Sequence, residues 1–211
     1  MSNIHLNNLF PVPVMRVEAF LNEARIDTLV SNLRETHQQA NARSELLSHT
    51  DVIHPSSHPL FQNLTEEIQV YLRDFGFLLF GENLTWHIKE MWMNFLSQGG
   101  HQAMHSHANS FISGVFYLTD CHPSAKTVFH NTMGARQFVF SNHHEESAST
   151  PYNSDRWIAS DMQCGDLLLF PSYMLHAVPK NEGAERITVA FNALPERLRS
   201  WDYEISFKAG C

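Results

Sequence analysis

The stretch Gly165–Asn192, GDLLLFPSYMLHAVPKNEGAERITVAFN, decides how the rest of the chain is read. It holds a short apolar strand, a histidine just after it (His176), and ten residues later an arginine (Arg186) heading a second strand with Ile187, Val189 and Phe191. Arginine is always charged and presents a planar fork that grips carboxylates bidentately, so a guanidinium set into an apolar strand calls for an anionic partner. The spacing suggests a metal ligand facing an anion clamp, with a small carboxylic acid beside the metal as the anion. On its own, His176 is more often a hydrogen-bonded rim residue, because buried polar groups are routinely satisfied in that way. The choice rests on what lies upstream.

Upstream is Thr85–Asp120, TWHIKEMWMNFLSQGGHQAMHSHANSFISGVFYLTD, which reads as two or three strands separated by a Gly-Gly turn and a polar loop. From Trp86 to Phe95 apolar and polar side chains alternate imperfectly, and Phe111–Leu118 is β-branched and aromatic, as suits a buried strand. His105 and His107 stand between them. Residues at i and i+2 of an extended chain point to one side, so these two imidazoles can converge on one ion, and neutral imidazole suits iron, zinc, copper or nickel. With 14 histidines in 211 residues the His-x-His spacing alone decides nothing. The order of parts does: strand, Gly-Gly turn, His-x-His, a strand ending Phe-Tyr-Leu, a long insert, Gly-Asp and an apolar strand, Phe-Pro-Ser, His, then Arg-x-Thr.

Composition sets the outer bounds. The length suits one domain, 43% of the residues are hydrophobic, and no apolar run approaches the roughly 20 residues that cross a bilayer. A formal charge of -8 with 14 Lys plus Arg and no basic cluster argues against a nucleic-acid surface, which needs clustered cations. The three cysteines, Cys121, Cys164 and Cys211, are widely spaced and form no CxxC pair, so a cytoplasmic location is expected, with neither disulfide framework nor secretory signal. Phe10–Val17, with two prolines, is expected as an extended edge segment. Helical periodicity follows over Glu18–His37 and from His58 or Pro59 to about Phe75, with the polar stretch Gln38–Ser57 between. The pair His54 and His58 is weak as a ligand pair, because Pro55 and Pro59 interrupt any aligning helix. Cys121–Gln163 is read as a strand-loop-strand insert, with strands at Arg136–Phe140 and Trp157–Ala159 and a lid tip at 142–152 that selects substrate. Its His143-His144-Glu145-Glu146 is expected as a solvated loop, since adjacent side chains diverge.

The order of motifs resembles that of the iron(II) and 2-oxoglutarate-dependent oxygenases, in particular the prolyl-hydroxylase-like branch and a small bacterial and phage subgroup. The matching residues are His105-Ser106-His107-Ala108-Asn109-Ser110, Ser113-Gly114-Val115-Phe116-Tyr117, Gly165-Asp166, Phe170-Pro171-Ser172, His176, Arg186 and Phe191-Asn192. The resemblance implies a mainly β fold, a double-stranded β-helix (a cupin-like jelly roll) with N-terminal helices packed on one sheet. It implies a single domain over 1–211: supporting segments in 1–84, a core over 85–192 with the insert 121–163, and a C-terminal segment 193–211. It makes His105 and His176 iron(II) ligands, places His107 where most relatives carry a carboxylate, and gives Arg186 the distal carboxylate of 2-oxoglutarate. Thr188, Tyr117 and Asn94 are supporting candidates, with Phe95 facing the same cavity. A three-histidine face carries one more unit of positive charge than the usual two-histidine, one-carboxylate set and still leaves positions open. If His107 only lines the pocket, a water or a remote acid completes the set. The implied reaction is hydroxylation of a small molecule or an amino-acid or peptide side chain with molecular oxygen, releasing succinate and carbon dioxide. Expected partners are that substrate and oxygen, with neither nucleic acid nor membrane, and a homodimer is among the assemblies allowed. The alternatives are a three-histidine iron dioxygenase without 2-oxoglutarate, and a non-catalytic cupin-like protein binding metal or a small acid.

Overall fold

The structure, a computed structural model, describes residues 3, 5–55, 59–131 and 144–208. In chain order the elements are β1 (Met15–Val17), α1 (Glu23–Arg34), β2 (Gln38–Ala40), β3 (Leu47–Thr50), α2 (Pro59–Phe80), β4 (Trp86–Leu96), β5 (Gln102–His105) and β6 (Ile112–Tyr117). They continue with β7 (Val128–His130), β8 (Arg156–Ile158), β9 (Leu167–Pro171), β10 (His176–Val178), β11 (Arg186–Pro195), β12 (Arg197–Ser200) and β13 (Tyr203–Ser206). The fold is mainly β, a double-stranded β-helix of two antiparallel sheets. The larger has the order β1-β9-β6-β11-β4-β3-β2, the smaller β5-β10-β7-β8, and β12-β13 form a separate hairpin.

Two-residue alternation divides the large sheet into a dry face and a polar one. On β11, Ile187, Val189, Phe191 and Ala193 join the main core with Ile26, Leu29 and Leu33 of α1 and Phe61, Leu64, Ile68 and Leu72 of α2. The intervening Arg186, Thr188, Ala190 and Asn192 lie on the opposite face. The two helices thus cover one face, as expected, and the other is left for a site. Gly114 is required where β6 crosses this layer, because a Cβ there would meet the Phe191 ring.

The imperfect alternation of Trp86–Phe95 has a definite cause. Between Asn192 and Ala193 the pairing with β4 shifts, Asn192 facing Glu90 and Ala193 facing Ile88, so Lys89 is an extra residue in a β-bulge. Trp86 and Ile88 before the bulge and Met91, Met93 and Phe95 after it therefore share the helix-packed core. Glu90, Trp92 and Asn94 turn to the polar face. The expectation that Phe95 shares a cavity with Asn94 is corrected by the same parity: neighbours on a strand point to opposite sides.

Three other expectations change. The polar stretch between the helices contains β2 and β3, which extend the large sheet beyond β4 through the register Leu47–Leu96 and His49–Asn94. The second helix runs to Phe80, five residues past its expected end. The insert is only partly an insert, since β7 and β8 are strands of the small sheet and Cys121, Ala159 and Met162 pack in a second core with Tyr117, Phe129 and Phe170. Its expected strand at 136–140 lies outside the described residues, as do part of the lid tip, His143 and His58. His144 is exposed, and Tyr152 hydrogen-bonds Asn8 of the N-terminal segment. Of the expected edge segment Phe10–Val17, Met15–Val17 forms β1, paired with β9 at the edge of the large sheet. Asp166 ties it down, accepting from Arg16 and from the Ala19 amide. No described helix is long and apolar enough to cross a membrane.

Candidate metal and anion site

His105 ends β5 and His176 begins β10, and the register pairs them directly across the small sheet. His107 lies two residues past β5, anchored by its amide to the Ser172 carbonyl at 3.0 Å. One ring nitrogen from each of the three lies within 4.8 Å of the others, and this is the one such cluster of His, Cys, Asp or Glu among the described residues.

The second nitrogen of each ring has a task of its own. Nδ1 of His105 stands 2.8 Å from the Ala103 carbonyl and Nδ1 of His176 3.0 Å from the Met174 carbonyl. A carbonyl only accepts, so both Nδ1 atoms carry the proton and both Nε2 atoms keep their lone pair. His107 Nδ1 lies 2.7 Å from Ser113 Oγ and 2.7 Å from Asn192 Oδ1. The amide nitrogen of Asn192 donates to Glu90 Oε1 at 2.8 Å. An ionised carboxylate must be met by a donor, which orients Asn192 and leaves its oxygen to receive the His107 proton. Ser113 and Ser110 both meet the Ser172 hydroxyl at 2.8 Å, completing a polar brace beneath the ring. All three imidazoles are thus held in the tautomer that binds a cation.

Burial keeps them neutral. It lowers the pKa of His105, and lowers His107 to about 4 and His176 to about 3, with the nearby His105 charge acting in the same direction on both. Imidazole ordinarily titrates at 6.5, so between pH 6.5 and about 3 the unfolded chain binds protons that the folded chain refuses. The contribution of these groups to stability is complete above pH 6.5 and is lost as the pH falls through that window. A metal binds the already neutral folded rings, so it should add a nearly constant stability down toward the folded pKa values of about 4 and 3 and lose it only below them. Urea denaturation of metal-free and nickel-loaded protein from about pH 7 to 5 should therefore give parallel curves with the loaded protein the more stable, and coincident curves would refute a shared ion.

Arg186 lies deeper along the same face of β11 and is 4% exposed. Its Nε donates to Cys121 Sγ and an Nη donates to Thr127 Oγ1, each at 3.2 Å, while the guanidinium sits 5.3 Å from the centre of the Tyr117 ring. Tyr117 and Thr127 hydroxyls meet at 2.8 Å. Among the described residues no carboxylate pairs with Arg186. A buried charge without a counter-ion costs several kcal/mol, so this pocket suits an anion that the described residues do not provide. Thr188 and Asn94, directly opposed across β11 and β4, are 2% and 7% exposed, and neither side chain has a hydrogen-bond partner among the described residues.

The structure thus gathers His105, His107 and His176 at one point, and places Arg186 with Tyr117 and Thr188 farther along the same face. Asn94 lines a cleft of about 400 Å³ shared with His105 and His107. Sequence reasoning missed Glu90, Asn192, Ser113 and Ser172 behind His107, and Cys121 and Thr127 around Arg186. The period-2 pattern of RITVAFN, which puts Asn192 on the face of Arg186, was the available signal for the first group.

Residues 90–192 match the family described as "Putative 2OG-Fe(II) oxygenase". No curated protein matches the chain. Among solved structures, HygX from Streptomyces hygroscopicus, crystallised with nickel and 2-oxoglutarate bound, aligns at 13% identity with a TM-score of 0.64, covering 87% of this chain and 83% of that one. A prolyl-4-hydroxylase from Pseudomonas putida aligns at 14% identity and TM-score 0.58, over 86% of this chain and 92% of its own. The viral collagen prolyl hydroxylase of Paramecium Bursaria Chlorella virus-1, in a 2-oxoglutarate complex, aligns at 10% identity and TM-score 0.56, over 85% and 94%. Likenesses at these identities establish the fold.

Proposed function

We infer the reaction from the family to which residues 90–192 assign the chain, the 2OG-Fe(II) oxygenases: the protein uses iron(II), 2-oxoglutarate and oxygen to hydroxylate a C–H bond of a small molecule or of an amino-acid or peptide side chain. The observation that carries this reading is Arg186, a buried guanidinium without an anionic partner among the described residues, on the sheet face that also braces a cluster of three neutral imidazoles. His105, His107 and His176 hold the iron, and Arg186 receives the distal carboxylate of 2-oxoglutarate. Thr188 and Tyr117 line the path between, and Asn94 stands beside it. The residues 1–211 act as one oxygenase domain.

When bound, iron(II) with 2-oxoglutarate supplies oxidative decarboxylation, one oxygen atom leaving in succinate and the other entering the substrate, with carbon dioxide released. The protein binds, orients and shields. Three neutral imidazoles leave both charges of the iron uncompensated, which favours a dianionic ketoacid over a neutral ligand. Arg186 would receive that ketoacid's far carboxylate, and Phe129 and Phe170, both packed against His176, would keep water from the metal's flank. A thiol dioxygenase needs no ketoacid; the ten-residue spacing from His176 to Arg186 suits the ketoacid clamp instead.

Asn192 orients His107 without touching the ion. Asn192→Ala should lower iron affinity about 10–100-fold, the usual effect of removing such a brace, as measured by chelator competition. An unchanged affinity would place His107 outside the ligand set. The reaction itself is tested by anaerobic loading with iron(II) followed by oxygen and 2-oxoglutarate, with succinate as the product assayed. Iron loading without any succinate would favour a binding protein.

A further inference from the structure

We propose that the cleft between the β2–β3 hairpin and β4 receives the primary substrate, and that this substrate is a linear zwitterion of amino-acid size, its carboxylate at Arg43 and its amine toward Glu90. The proposal rests on the oxygenase reading above, because it sets the reacting C–H bond beside His105 and His107. The cleft holds about 400 Å³ and is lined by Arg43, Glu90, Trp92, Asn94 and those two histidines, among others. That volume is at the small end for small-molecule sites and fits a free metabolite.

Each wall has a chemical meaning. Arg43 sits in the loop between β2 and β3, is exposed, and has no ion-pair partner among the described residues. At the other end the bulge at Lys89 turns Glu90 into the cleft. Its Oε1 is taken by Lys89 at 3.0 Å and by Asn192, while its Oε2 accepts no hydrogen bond among the described residues. Between them Asn94, 7% exposed, lines the cleft with no hydrogen-bond partner for its amide among the described residues, a polar contact for a chain passing over it. Trp92, 5.9 Å from the His107 ring centre in an edge arrangement, gives an apolar wall for methylene groups next to the metal site.

Spacing then selects the class. The Arg43 loop leads into Leu47, which pairs with Leu96, and Glu90 is six residues from Leu96 along β4. That is about 20 Å of strand, shortened from both ends by the reach of arginine and glutamate. The adjacent charges of a simple α-amino acid cannot meet both groups. A carboxylate and an amine separated by several methylenes can, as in an amino acid with a cationic side chain or an ω-amino acid.

The test titrates L-lysine, L-ornithine, L-arginine and 5-aminopentanoate, each beside its carboxamide and its ω-N-acetyl derivative, into the anaerobic iron(II)–2-oxoglutarate protein in a calorimeter. At least one zwitterion should bind, and both blocked forms should bind at least ten-fold more weakly. Arg43→Gln should lose at least ten-fold for that zwitterion, Arg43→Lys should keep part of it, and Lys180→Gln, outside the cleft, should match the wild type. The proposal is overturned if no zwitterion binds, if either blocked form binds equally well, or if Arg43→Gln has no effect. Wild-type binding of 2-oxoglutarate and its slow conversion to succinate without substrate separate the two levels. Their absence defeats the oxygenase reading, while their presence with no zwitterion binding defeats this proposal alone.

Discussion

Arg186→Ala is expected to weaken 2-oxoglutarate binding by about 2–5 kcal/mol, the cost of truncating one partner of a buried charge pair, while iron still binds. The physical source is the pocket itself. Cys121, Thr127 and Tyr117 hold the guanidinium in place but supply no negative charge, so removing it leaves the ketoacid carboxylate buried among neutral groups. Arg186→Lys should recover only part of the loss, because an ammonium is a point charge and cannot offer the planar fork. The metal-free Arg186→Ala protein should also be no less stable than wild type, since an uncompensated charge has been taken from the interior. Equal ketoacid affinity in wild type and Arg186→Ala, measured by calorimetry with nickel in place of iron, would end the clamp assignment.

His176→Ala should abolish stoichiometric iron binding. His176 is 5% exposed, is paired with His105 across the small sheet, and has its Nδ1 committed to the Met174 carbonyl, so its Nε2 is held as a fixed member of the cluster. The fold should survive, because β10 is held by backbone pairing to β5 and β7 and not by the imidazole. His105→Ala and His107→Ala should follow the same pattern. Elemental analysis after anaerobic loading and desalting gives the answer, with circular dichroism to confirm folding. Full iron occupancy in His107→Ala would show that His107 lines the pocket and that another group completes the set.

What was legible in the sequence and what was not divides along physical lines. His105, His107 and His176 stand at or just past the ends of short strands, and their grouping was legible from the order of motifs that resembles the oxygenases. The bulge at Lys89 was not legible, because it depends on which residue of β11 faces which residue of β4, and it decided that Asn94 and not Phe95 faces the site. β2 and β3 were hidden because Gln38–Ala40 is wholly exposed and Leu47–Thr50 only half buried, so neither shows the hydrophobic pattern of a core strand. The same holds for β12 and β13, both largely exposed. Cys121 and Thr127 fell in a segment read as an insert, yet they touch Arg186 from 65 and 59 residues away. Only the closure of the two sheets on each other makes that contact. The Gly165-Asp166 pair, legible as a motif, proves to be architectural: Gly165 adopts a φ of 91° with Leu21 O where a Cβ would stand, and Asp166 anchors β1.

The central claim is that one ion on three histidines and one carboxylate on Arg186 are bridged by a single 2-oxoglutarate molecule. The visible absorption spectrum of the anaerobic iron(II) protein, recorded before and after adding 2-oxoglutarate, tests this most directly. A metal-to-ligand charge-transfer band should appear with the ketoacid, should need a higher ketoacid concentration in Arg186→Ala, and should be missing in His176→Ala. An iron-loaded wild-type protein whose spectrum does not change at saturating 2-oxoglutarate would contradict it.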